Sequence, residues 1–271
     1  MNFNKEITVG IPYYDKVDIS HLCLCIDSIL SQSFKPKIIH LIQDGKVSTI
    51  VKEKINYYIK KNPNLFLYIE LPKKGLPFAL NHSIKLTKTK YYARMDADDI
   101  AISNRFEIQI DFLEKNTDID ILGTWAYEFD NDYHEKSLYI NKTPRNYEKI
   151  KEYVHYRNPL IHPSVIFRMT VFNKLGYYNE ELLTDQDLEL WGRALLNNIR
   201  ITNIQKPLIY LRIQNRLLRR SKLSAIKRQI TIRYSFKTLS IKLNVLKLMS
   251  IILRFMPYSF SKWAYKNLRS F

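Results

Sequence analysis

Tyr91-Tyr92-Ala93-Arg94-Met95-Asp96-Ala97-Asp98-Asp99 decides the reading of this chain. Its first five residues are short, aromatic-rich and mostly apolar, the pattern of a strand inside a sheet covered on both faces. The strand's carboxyl end then delivers three carboxylates within four residues. Such crowding is electrostatically costly unless a cation or a polar ligand meets it. Hard divalent ions prefer oxygen ligands and often combine one or two carboxylates with phosphate oxygens. A metal-bound nucleotide site is the first expectation, and an acidic turn capping the next helix is the competing one.

Outward from this run, residues 1–115 alternate strand and helix patterns. Strands are expected at 7–11, 37–43, 65–71 and 91–95, and helices at 19–32, 49–61, 77–86 and 103–115. The last helix has Phe106, Ile110 and Leu113 on one face. This alternation predicts a three-layer α/β fold around a mostly parallel sheet. Ligands of such sheets sit beyond the carboxyl ends of the strands. Three strand ends mark one crest there: residues 12–15, Asp44-Gly45 and residues 96–99. No Gly-rich phosphate loop is present, which argues against a dehydrogenase or a P-loop enzyme. Further on, strands are expected at 120–127, 164–168 and 207–213, a helix at 185–197, and a loop with room for a short hairpin at 131–146.

Charge divides the chain. The last 82 residues hold 18 Lys and Arg and no Asp or Glu, while the first 189 hold 25 basic and 26 acidic residues. The whole net charge of +17 therefore lies at the C-terminal end, and it points to an anionic partner. Residues 216–271 read as helical. Leu223, Ile226, Ile230 and Tyr234 are expected on one face. In residues 239–255, Ser240, Lys247, Ser250 and Arg254 share a polar face opposite a wide apolar arc, with Lys242 and Ile251 off the pattern. The basic and aromatic tail Tyr258, Phe260, Lys262, Trp263, Tyr265, Lys266 and Arg269 completes the description of a helix lying in a membrane interface. A helical cap on the domain or a dimer face is the alternative. No signal peptide or spanning helix is expected. Cys23 and Cys25 sit on different helix faces and read as free thiols of a reducing compartment.

Five motifs now stand in order: Ile-Pro-Tyr-Tyr-Asp (11–15), Gln-Asp-Gly (43–45), Gly-Leu-Pro-Phe-Ala-Leu-Asn (75–81), Met-Asp-Ala-Asp-Asp (95–99) and Asp-Gln-Asp-Leu-Glu-Leu-Trp (185–191). Together they resemble the inverting glycosyltransferase family 2, whose members have the GT-A fold and use nucleotide-diphosphate sugars. The resemblance covers about residues 5–215. Residues 106–125 and 158–168 are similar to the branch that builds bacterial surface polysaccharides and lipooligosaccharides.

The resemblance implies a role for each position. Asp44 would bond the nucleotide base, typically uracil, with an Asx turn as the bland alternative. Pro12 and Tyr14 would wall the base pocket, and Asn81 would face the same crest. Asp98 would be the principal ligand of Mn²⁺ or Mg²⁺, and Asp96 would touch the ribose or the metal's shell. Asp99 stays open between ligand and cap. Asp187 would be the general base, with Asp185 its neighbour and competitor. The pattern Thr184-x-x-Asp187 also reads as a capping box, with Leu188, Trp191 and Leu195 as the buried stripe behind it. Gln186 stands where the family often has Glu, and Gln214 where it often has His. Arg212 could approach the diphosphate. His162 is expected to hold a loop, and Trp191 to be core.

The expected protein is a GT-A domain at 1–215, split into a nucleotide-binding half (1–115) and an acceptor half (116–215), followed by a basic amphipathic segment (216–271). Its expected activity is transfer from a UDP-sugar to a lipid-linked or glycan hydroxyl, on the inner face of the cytoplasmic membrane, with residues 216–271 on anionic lipid. A nucleic-acid binder, a sugar nucleotidyltransferase and an inactive assembly partner are the other readings. The first has no recognised motif, and the second lacks its phosphate loop.

Overall fold

A computed structural model describes residues 7–135, 138–213 and 223–256. Gln214 and the tail from Pro257 onward lie outside the described residues, as does the side chain of Leu223. The first half alternates as expected: β1 (Ile7–Tyr14), α1 (Ile19–Leu30), β2 (Ile38–Asp44), α2 (Thr49–Lys61), β3 (Phe66–Leu71), α3 (Leu76–Leu86) and β4 (Tyr91–Arg94). Asp18 and Ser48 start α1 and α2 by accepting backbone N–H groups of the first turn. The strands run β3-β2-β1-β4, all parallel.

The second half is mixed. It comprises β5 (Ile100–Ala101), α4 (Arg105–Lys115), β6 (Ile121–Phe129), β7 (Tyr139–Asn141), α5 (Tyr147–Tyr153), a 3₁₀ turn (His162–Ser164), β8 (Ile166–Arg168), α6 (Val171–Leu175), α7 (Gln186–Leu196) and β9 (Ile201–Arg212). Next to β4 the order is β8-β6-β9-β5, with β7 forming a hairpin on β6. β8 is antiparallel to both of its neighbours, β6 and β9 are parallel, and β5 is antiparallel to β9. The sequence reading did not foresee β5, α5 or α6, and it began β9 at 207 rather than at Ile201. These elements are two to seven residues long apart from β9, whose register shifts near Trp125 and whose middle is polar.

The sheet curls, and the turn between β4 and β5 requires it. Five residues separate β4, in the middle of the sheet, from β5 at its far edge. In a flat sheet those strands would lie about 19 Å apart, four spacings of about 4.8 Å. The six Cα–Cα steps from Arg94 to Ile100 cover about 20 Å only when fully extended. Here they turn, with the Asp99 N–H donating to the Asp96 carbonyl at 3.3 Å. The far edge therefore folds back over the crest, and the acidic turn becomes the hinge of the curl.

Strand alternation fills two cores. Tyr91, Ala93, Leu122 and Ile166 join α1, α2 and α4 on one face. Tyr92, Ile121 and Phe167 join α3, α5, α6 and α7 on the other. Two further helices follow, α8 (Leu223–Ser235) and α9 (Ile241–Phe255). α8 belongs to the second core through Ile232 and Phe236. Gly192 of α7 makes room for it, because a Cβ there would stand 1.9 Å from Phe236 Cζ.

The face expected on α8 is corrected. Ile226, Gln229, Ile232, Arg233 and Phe236 are buried, whereas Ile230 and Tyr234 are exposed. Gln229 and Arg233 make directed bonds to the domain, and these set the helix rotation in place of the apolar stripe. α9 has the two faces expected, mounted polar side inward. Lys247 is 1% exposed and donates to the Phe236 carbonyl at 2.8 Å. Leu248 and Met249 are 50% and 53% exposed, and Ile241, Val245, Ile252 and Phe255 are exposed beside them. Among the described residues no helix is long and apolar enough to cross a membrane. Cys23 and Cys25 are free thiols.

Candidate active site

The acidic turn at the end of β4 gathers oxygen ligands. One carboxylate oxygen from each of Asp96, Asp98 and Asp99 lies within 4.8 Å of the others. Asp98 is exposed at the turn, yet the protein packed around its carboxyl, followed by the charge of Asp96, pushes it up to about 6. Asp99 is 1% exposed, and burial followed by the charges of Asp98 and Asp96 pushes it well up. Its Oδ1 accepts the Arg212 N–H at 2.8 Å, while Oδ2 has no partner among the described residues. A buried orphan oxygen beside two more carboxylates is the donor set of a hard divalent cation. Asp99 therefore fits the ligand role better than the capping one. Arg212 closes the turn from β9: its Nε donates to the Asp98 carbonyl at 3.1 Å and its Nη1 to the Asp130 carbonyl at 3.2 Å.

One cation of the site escaped the sequence reading. Arg94, the single charge in its strand, is buried and ion-paired through Nη2 with Asp96. Its Nε and Nη1 have no hydrogen-bond partner among the described residues. Its charge favours the ionised forms of Asp98, Asp99 and Asp187 alike, so it links the acidic turn to α7. An arginine inside an apolar strand was the available signal, since buried charges are retained only with partners.

The crest of β1 and β2 is as expected, with two adjustments. Pro12 and Tyr14 both lie in β1, Pro12 buried and Tyr14 exposed at the strand end. Asp44 is buried and makes no Asx turn. Its Oδ1 accepts the Lys74 N–H at 2.8 Å and its Oδ2 the Gly75 N–H at 3.0 Å. Gly75 permits this with φ of 97°, a region closed to most side chains. Asn81 does not offer its amide to a ligand. Both of its N–H groups are used, on the Tyr178 carbonyl and on Glu180, each at 2.8 Å, and its Oδ1 accepts the Tyr178 N–H at 2.9 Å. It clamps the chain of the acceptor half to α3, a role set by burial.

At α7 the expected capping box does not form. The residue before the helix is Asp185, left-handed at φ 63°, and it makes no side-chain cap bond. Asp187 turns inward instead, where Oδ2 accepts from Asn158 Nδ2 at 2.5 Å. Burial and then Asp185 raise its pKa, opposed by the Leu188 N–H, Asn158 and Arg94. The buried stripe Leu188, Trp191 and Leu195 forms as read. Trp191 stacks on Phe167 at 5.8 Å, and His162 bonds the Tyr178 hydroxyl at 2.7 Å through Nε2, so both are packing groups. Gln229 of α8 also reaches this corner and donates to Asp185 Oδ1 at 2.6 Å.

Known proteins are similar to this chain. The UDP-Gal:alpha-D-GlcNAc-diphosphoundecaprenol beta-1,3-galactosyltransferase of Escherichia coli is 29% identical over 97% of this chain and 96% of its own. The O-antigen biosynthesis glycosyltransferase WbnJ of Escherichia coli is 30% identical over 81% of this chain and 83% of its own. The mannosyltransferase PcManGT of Pyrobaculum calidifontis, solved with GDP-Man and Mn²⁺, superposes with a TM-score of 0.64 at 12% identity, over 97% of this chain and 75% of its own. That likeness shows the fold, which is GT-A. The profile of Glycosyl transferase family 2 matches residues 8–176. The chain therefore belongs to glycosyl transferase family 2 and is a glycosyltransferase.

Proposed function

We propose that this glycosyltransferase is metal-dependent and inverting, and that it moves a sugar from a UDP-sugar to a hydroxyl of a growing bacterial surface glycan. The observation that supports the reading is the cluster of Asp96, Asp98 and Asp99, with Arg94 paired to Asp96 and its charge also reaching Asp187. Pro12, Tyr14 and Asp44 would form the crest for the base, and Asp96 would touch the ribose or the metal's shell. Asn81 acts indirectly, by fixing the loop at Tyr178. Asp98, with Asp96 and Asp99, would hold Mn²⁺ or Mg²⁺. When bound, that ion supplies positive charge to the diphosphate.

Asp187 takes the acceptor hydroxyl proton as that oxygen bonds the anomeric carbon. The bond from that carbon to the diphosphate breaks on the opposite face, and its electrons leave with the nucleotide. A single displacement inverts the centre. A raised pKa suits a base, because it brings the carboxylate closer to working pH. The named relatives support the donor and acceptor classes: one is named for a UDP-sugar and a diphosphoundecaprenol acceptor, the other for O-antigen biosynthesis.

The test is hydrolysis of a panel of UDP-, GDP- and dTDP-sugars with and without Mn²⁺. One UDP-sugar should turn over only with metal, and Asp98→Ala should abolish that turnover. Metal-independent turnover, or full activity in Asp98→Ala, refutes the metal assignment. Loss of activity in Asp185→Asn but not in Asp187→Asn would move the base to Asp185, whose left-handed backbone is the observation favouring that second reading.

The enzyme works, in this reading, at the inner face of the cytoplasmic membrane, held there by residues 216–271. The outward apolar arc of α9 and the all-basic charge of the last 82 residues support it. Leu248→Glu with Ile252→Glu should abolish co-flotation with phosphatidylglycerol vesicles, and unchanged flotation refutes the docking.

A further inference from the structure

We infer that Gln229 is a positioning residue: from α8 it holds Asp185, and through Asp185 the first turn of α7. The inference rests on the reading of Asp187 as the base. α7 starts without the side-chain cap that satisfies most helix starts. Its leading residue is one of three non-glycine residues with positive φ among those described, and the other two are asparagines. A left-handed aspartate persists only where its surroundings fix it. Here the fixing group comes from 44 residues further along the chain. Gln229 Nε2 donates to Asp185 Oδ1 at 2.6 Å, and the neighbouring Arg228 Nε donates to Thr184 Oγ1 at 2.9 Å.

Gln229 is itself buried and locked. Its Oε1 accepts from Arg233 Nε at 2.9 Å, so its amide nitrogen is the atom left to face Asp185. Arg233 Nη1 in turn donates to the Val154 carbonyl at 2.9 Å, beyond the end of α5. Phe236 seats the far end of α8 against Gly192, in the middle of α7. α8 thus grips α7 at two points, a polar one at its start and an apolar one halfway along. Asp187 lies two residues past the polar grip. Once that grip is gone, the uncapped first turn frays and the carboxylate leaves its place, and misplacement by about 1 Å can cost a hundredfold in rate.

The experiment compares the full chain with Gln229→Leu, which keeps the packing and removes the donor, and with Ile226→Ala, which loosens the same helix face without touching Asp185. Gln229→Leu should raise amide hydrogen exchange at residues 186–190 at least tenfold. It should lower kcat for the UDP-sugar that the donor panel selects by at least tenfold, while KM and the affinity for UDP with Mn²⁺ stay within twofold. Ile226→Ala should lower Tm and leave kcat within twofold. Gln229→Glu keeps the shape and the bond from Arg233 but turns a second carboxylate toward Asp185, so it should repeat the effect of leucine if the leucine variant does not fold. Unchanged exchange at 186–190, or a loss in KM equal to that in kcat, overturns the positioning role. Faster exchange in a chain whose wild type hydrolyses no sugar nucleotide would retire the enzymatic reading and leave the grip of α8 on α7 in place.

Discussion

At the residue scale, single carboxylates take their roles from what surrounds them. Asp187 and Asp185 are two residues apart, yet one faces inward to Asn158 and the other outward to Gln229. Because Asp187 must be ionised to accept a proton, the rate should fall as pH drops through its pKa. Burial raises that pKa, so the acidic limb of the profile should lie above the usual carboxylate range. Asp187→Asn should lower kcat by about 10²–10⁴ and abolish that limb, as measured by a pH–rate profile. Arg94 shows the limit of reading residues by type. A lone arginine in a strand with Asp96 two residues on is visible in the sequence, but that its charge also reaches Asp187 depends on where α7, much later in the chain, packs.

At the element scale, α8 and α9 illustrate how directed bonds override pattern. An apolar stripe on α8 predicts one rotation, and buried Gln229 and Arg233 enforce another. The reason is the cost asymmetry: an exposed isoleucine loses a modest burial gain, whereas a buried polar group without a partner costs about 1–3 kcal/mol. Gly192 is the seat of α8. Gly192→Ala would drive a methyl group into Phe236, and overpacking of this kind costs about 1–3 kcal/mol. Thermal unfolding of Gly192→Ala should show Tm lower by about 2–12 °C. On α9, burying Lys247 leaves the apolar arc facing out, an arrangement that an interface with lipid would stabilise. If that docking is electrostatically assisted, vesicle binding should weaken as salt rises from 0.05 to about 0.5 M, read by flotation.

At the scale of the whole molecule, three histidines are buried without charge. Burial holds His40 and His155 down to about 4, and pushes His162 well below its ordinary value. In the unfolded chain each takes a proton near pH 6.5. Through these histidines acid favours the unfolded state: their contribution is full above about pH 6.5 and is lost as pH falls toward 4, while the raised carboxyls of Asp98, Asp99 and Asp187 work in the opposite direction over the same window. His40 alone accounts for about 3 kcal/mol across that window. Urea unfolding at pH 7 and pH 4.5 should show His40→Gln more stable at pH 4.5, relative to pH 7, than the unsubstituted protein is. The curl of the sheet is the other whole-molecule property. It sets β5 and β9 over the acidic turn and thereby brings Arg212 to Asp98 and Asp99.

The sequence by itself determined the elements whose physics is local. The parallel strands of the first half, their helices and the acidic turn were legible because period, strand ends and turn residues are all short-range. So was the division of charge, and so were the five motifs that carry the family. Tertiary structure alone decided the rest. It engaged Asn81 in a clamp, replaced the expected capping box with a left-handed Asp185 held from α8, and brought the charge of Arg94 within reach of Asp187. Each of these depends on a partner more than 40 residues away or on a strand order that no local pattern encodes, and burial makes that partner obligatory.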